Sequence, residues 1–174
     1  MSKQLSLSIY KGKHGGRRPN CGRARIHSKG VAHRAREKVN ARTPLHINFK
    51  YSTFVRTRRV LEILMIAFSN ASKHGLNITH FTLQSNHIHI IAETTNTALL
   101  IKGMRSLTGT IVKRIGKGSI QIERYHLHIL KNPTEVRNAV EYVLNNDVKH
   151  TGKRYSDFTG RLNIGKSWLL RMNS

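Results

Sequence analysis

His87 and His89 flank a single isoleucine in residues 81–93 (FTLQSNHIHIIAE), and this spacing is the chain's clearest opening for chemistry. Side chains on an extended strand alternate faces, so the two imidazoles point to one side while Ile88, Ile90 and Ala92 point to the other. Imidazoles about 7 Å apart on one sheet face can share a divalent ion or a phosphate. Taken alone, a His-x-His strand reads more readily as a hydrogen-bonded surface pair than as a ligand set. Tyr142 and Asn146 lie further along, spaced i, i+4, so on a helix they stack one turn apart on one side. A tyrosine beside a metal-bound phosphate is a candidate nucleophile. The metal lowers the energy of charge on the phosphoryl oxygens, and the phenolate becomes a covalent carrier.

The elements that must position these groups follow from periodicity. Leu45-His46-Ile47-Asn48-Phe49-Lys50-Tyr51 alternates as a half-buried strand. Val60, Ile63, Leu64, Ala67, Phe68 and Ala71 make one apolar helix face, closed by Gly75. Strands over 78–83 and 87–93 meet at the polar turn Gln84-Ser85-Asn86. A second helix follows Thr94-Thr95-Asn96, with Leu100, Met104, Leu107, Ile111 and Ile115 inward and Gly116 and Gly118 at its end. Residues 120–130 read as extended, with Tyr125 on the apolar parity as core. Asn132, Pro133 and Glu135 then form a helix start, and Val136, Ala139, Val140, Val143 and Leu144 its core face.

The order strand, helix, strand, strand, helix, strand, helix predicts an α+β fold. It is a ferredoxin-like βαββαβ antiparallel sheet with helices on one face, plus a C-terminal helix carrying Tyr142. His46, Lys50, His80, Thr82, His87, His89, Arg124, His126 and His128 would share the other, helix-free face. The expected organisation is a basic flexible arm over 1–43, a body over 44–152 and a tail over 153–174, where residues 167–170 could dock on the body.

Lys and Arg total 31 against 8 Asp and Glu, a formal net charge of +23. Such an excess calls for a polyanion, with nucleic acid ahead of a membrane surface. The arm's Arg17, Arg18, Arg23 and Arg25 are candidate backbone contacts, as are Arg124, His126, His128 and Lys149. The acidic residues are scattered singly, which disfavours a carboxylate-clustered two-metal nuclease. One cysteine excludes an intramolecular disulfide and a thiolate zinc site. No apolar run is long enough to span a membrane and no signal-type segment opens the sequence, so a cytoplasmic protein is expected.

His87-Ile88-His89 between hydrophobic residues resembles the HUH motif, and residues 142–150 (YVLNNDVKH) resemble the nucleophile helix of single-tyrosine HUH transposases. With 84–93 (QSNHIHIIAE) and 124–130 (RYHLHIL), the stretch from about 44 to 150 is similar to the REP-associated tyrosine transposases of bacteria. The resemblance implies that His87, His89 and Asn146 hold Mg²⁺ or Mn²⁺. It also implies that Tyr142 attacks a phosphodiester of hairpin-bearing single-stranded DNA, leaving a 5′-phosphotyrosine link and a 3′-OH. The protein would act as a monomer or homodimer.

Other readings stand beside it. Glu93 shares the parity of His89 and could replace Asn146, although a surface charge is the simpler reading. His126 and His128 form a rival pair about 10 Å, two strand spacings, from the first. A non-catalytic, domesticated nucleic-acid-binding protein would tolerate Tyr142→Phe, and a nuclease using activated water would cleave without a covalent adduct.

Overall fold

The alternating segment Leu45–Lys50 forms strand β1, whose Leu45, Ile47 and Phe49 bury on one side while His46, Asn48 and Lys50 face the other. The computed structural model describes residues 37–52, 56–116, 118–151, 158–162 and 168–171. Helix α1 (Arg58–Lys73) starts where the Thr57 hydroxyl accepts the Val60 N–H, and it buries Ile63, Leu64, Ala67, Phe68 and Ala71. β2 (Asn77–Leu83) and β3 (His87–Glu93) make the hairpin expected around residues 84–86. Asn96 caps α2 (Thr97–Ile115) by accepting the Leu99 N–H at 2.9 Å. α2 lies so close to the turn after α1 that a Cβ at Gly103 would stand 2.3 Å from the Leu76 Cβ.

β4 (His126–Ile129) is the short regular part of the extended segment 120–130. α3 (Pro133–Thr151) opens as its sequence dictates, with the Asn132 side chain accepting the Glu135 N–H at 2.9 Å. The Glu135 carboxylate reaches back to the Lys131 N–H at 2.7 Å. All strand pairings are antiparallel, in the order β4-β1-β3-β2 with β5 (Thr159–Arg161) beyond β2. The α+β ferredoxin-like order expected from the element sequence is therefore present. β5 and the short α4 (Trp168–Arg171) were not predicted as regular structure.

Two cores divide the sheet. α1 and α2 cover the face carrying Ile47, Phe49, Phe81, Leu83, Ile88 and Ile90. A bulge between Ile78 and His80 rephases β2, so that Ile78 and Phe81, three residues apart, enter the same core. The opposite face is not helix-free, which corrects the expectation. Val136, Ala139, Val140 and Val143 of α3 cluster there with Ile91, Leu130 and Leu170. Ile91 is the apolar residue on the histidine parity of β3, and α3 is what buries it. Ahead of β1, Val39 packs into the α1/α2 core and Asn40 pairs with Asn96.

Candidate functional site

The turn delivering His87 is held from β1. The Tyr51 N–H donates to the Asn86 carbonyl at 3.0 Å, and its buried hydroxyl donates to the carbonyls of Gln84 and His87. Burial pushes the Tyr51 phenol up, only partly offset by Arg56, so it stays a neutral donor. The Asn86 side-chain oxygen lies 2.6 Å from His87 Nδ1. An oxygen acceptor there requires the proton on Nδ1 and leaves the His87 lone pair on Nε2. Asn86 is thus more than a turn residue, since it sets a tautomer.

His89 is only 5 % exposed, because three rings close round it. The His87 ring meets it edge-on at 4.8 Å between centroids, and Tyr142 meets it edge-on at 5.2 Å. His46 stacks on it at 5.2 Å and brings Nε2 within 3.1 Å of His89 Nδ1. The same His46 ring stands 6.0 Å from that of Tyr142. Burial, and next the neighbouring His128, depress the His46 pKa to about 4, so it is neutral near pH 7. Two imidazole nitrogens in hydrogen-bond contact need one N–H between them. The arrangement with that proton on His89 Nδ1 leaves its lone pair on Nε2, as in His87. Across the pairing on the other side, Thr82 stands opposite His89, bonded to Thr159 of β5 at 2.8 Å and receiving the Gln84 amide N–H at 3.0 Å.

Asn146 follows one helical turn after Tyr142. It is fully buried, and neither its amide oxygen nor its nitrogen has a hydrogen-bond partner among the described residues. A buried amide left unpaired costs about 1–3 kcal/mol per group, so such a position asks for a ligand. Among the described residues no three His, Cys, Asp or Glu side chains gather as a metal cage. Two imidazole nitrogens with one amide oxygen make a different donor set, suited to a divalent ion that keeps positions open for water or phosphate. His87 and Tyr142 are half-exposed, so the cluster meets solvent along their edges.

Other sequence-predicted residues lie elsewhere. Arg124, His126 and His128 are exposed on the β4 side, with β1 between them and β3. His128 pairs in register with His46, which puts the second His-x-His two strands from the first, as expected. A cavity of about 760 Å³ opens there, lined by Glu37, Glu123, Arg124, Tyr125, His126, Leu127 and Ile129 and by none of the His87–Tyr142 cluster. Glu93 is 8 % exposed, which corrects its reading as a surface charge. The Lys149 side chain and Arg17, Arg18, Arg23 and Arg25 lie outside the described residues. Sequence reasoning missed His46 as a member of the cluster, although its parity on the first strand already put it on the right face.

A solved REP-associated tyrosine transposase bound to a REP hairpin superposes on this chain with a TM-score of 0.61, covering 74 % of this chain and 82 % of that one. The fold is shared with that transposase. Sequence identity is 16 %, so the likeness carries the architecture and no more. Bacterial tRNA(His) guanylyltransferase-like structures overlap less. The ATP complex has a TM-score of 0.45 at 11 % identity, covering 66 % of this chain and 62 % of that one. The GTP complex has 0.44 at 10 %, covering 67 % and 69 %. No protein-family profile and no curated protein sequence matches the chain.

Proposed function

We propose that this chain is a metal-dependent endonuclease and strand transferase of the transposase type, acting in the cytoplasm on hairpin-bearing single-stranded DNA. One observation carries the reading. The Tyr142 ring lies against His89, which packs on His87, one helical turn from an Asn146 amide with no partner among the described residues. A bound Mg²⁺ or Mn²⁺, held by His87, His89 and Asn146, would offset charge on the phosphoryl oxygens. Tyr142 Oη attacks the phosphorus and the bond from phosphorus to O3′ breaks. The phenolic proton passes to solvent and the departing 3′ oxygen takes one up. A 5′-phosphotyrosine and a free 3′-OH remain, and attack by a 3′-OH on that link reverses the step. The positive charge of the chain supplies backbone attraction that any DNA strand would feel.

The test uses labelled single-stranded DNAs that carry hairpins, with Mn²⁺ or Mg²⁺, read on denaturing gels. A metal-dependent protein–DNA adduct is expected from the wild type, falling below detection in Tyr142→Phe and in His87→Ala. Cleavage without adduct that survives Tyr142→Phe would replace the tyrosine with activated water. Binding without cleavage under either metal would leave a non-catalytic nucleic-acid-binding protein.

A further inference from the structure

His46 lies against both a proposed metal ligand, His89, and the proposed nucleophile, Tyr142. It sits on β1 in register with Ile91 of β3 and His128 of β4, one step diagonal to His89. Its ring stacks on that of His89 with a 29° interplanar angle, and its Nε2 lies 3.1 Å from His89 Nδ1. Its other neighbour is Tyr142, met at 65°. An imidazole turns about a broad, roughly two-fold torsion, so β3 alone does not decide which nitrogen of His89 looks outward. A fixed acceptor at Nδ1 does decide it.

We infer that His46 is a positioning residue: by accepting the His89 Nδ1–H it fixes the tautomer and ring orientation of His89, aiming Nε2 as the metal-binding atom, while its ring flanks Tyr142. The inference rests on the metal-assisted reading above and adds to it a group outside the proposed ligand set. His87 has its counterpart in the Asn86 side chain, so each histidine of the pair has its own Nδ1 partner. Removing such a partner typically weakens metal affinity about 10- to 100-fold.

The test compares wild type, His46→Leu, His46→Gln and the control His74→Leu, an exposed histidine just after α1. Mn²⁺ affinity is read by electron paramagnetic resonance, and the His89 ring is read by ¹⁵N spectroscopy without metal. His46→Gln keeps an acceptor oxygen and is expected to retain the Nδ1–H tautomer and most of the affinity. His46→Leu is expected to lose the tautomer preference and to weaken the Mn²⁺ Kd about 10- to 100-fold, with His74→Leu unchanged. Should His46→Leu fail to fold, His46→Asn, too short to reach Nδ1, takes its place. A folded acceptor-lacking variant with wild-type Kd and a wild-type His89 spectrum overturns the inference. Absence of Mn²⁺ binding by the wild type instead overturns the metal reading, and the inference with it.

Discussion

At the scale of single residues, the candidate site is a small number of side chains whose polar atoms lie in or beside buried surroundings. Asn146 is the sharpest case, being fully buried with both amide atoms unpartnered among the described residues. Its position is therefore a local instability, tolerable where a ligand is to be held. Asn146→Leu, close to Asn in branching, is expected to raise the stability of the metal-free protein by about 1–3 kcal/mol. The same change should abolish the adduct. Urea unfolding without metal measures the first part, and a loss of stability would mean that the amide is paired in solution. The meeting of His87, His89 and Tyr142 was legible in residue type and spacing. The parts of Asn86 and His46 were not, because a turn residue and a strand histidine gain their roles only from the ring beside them.

At the scale of elements, the decisive feature is α3 lying across the histidine face. Strands, helices and their order followed from periodicity and caps, and Asn132, Pro133 and Glu135 start α3 as expected. The partner face of α3 was harder to see, because its apolar stripe says that it packs but not on what. Ile91 held the missing signal. An apolar residue between His89 and Glu93 has no reason to bury on an open polar face. β5 left no trace of its own: three residues, Thr-Gly-Arg, are too few to show a period, and Thr159 gains its partner Thr82 only through the fold. Ile91→Ala is expected to destabilise the protein by about 2–5 kcal/mol and, by loosening α3, to lower adduct formation. Gly103→Ala, which presses α2 against Leu76 on the far face, should cost about 1–3 kcal/mol and leave adduct yield per folded molecule unchanged. Denaturant midpoints with adduct yields measure both, and equal losses of yield would show that the two layers are not separable.

At the scale of the whole molecule, a strongly cationic chain keeps neutral histidines inside its sheet. His80 is 5 % exposed, accepts the Arg161 Nε–H at 3.2 Å and lies 3.0 Å from the Thr79 hydroxyl. Burial, and next Arg161, depress its pKa from 6.5 to about 4. Between those values the unfolded chain binds more protons than the folded one, so stability rises with pH across the window. It should be at its plateau above about pH 6.5 and lost progressively as the pH falls to about 4, with His46 acting in the same direction. Thermal melts over that range give the check, and His80→Gln should flatten the dependence. An unchanged slope in that variant would place the titration elsewhere. Net charge was legible at this scale, while the burial of the histidines was not, because it depends on α3 and β5 closing over them.

The claim that Tyr142 is the nucleophile is tested most directly by mapping where DNA becomes attached. Wild-type protein is incubated with hairpin-bearing single-stranded DNA and Mn²⁺, digested with trypsin and examined by mass spectrometry. The expected result is a phosphodiester-linked nucleotide on the peptide 138–149, at Tyr142 and dependent on the metal. Attachment to another residue, or cleaved DNA with no attached peptide, would contradict it.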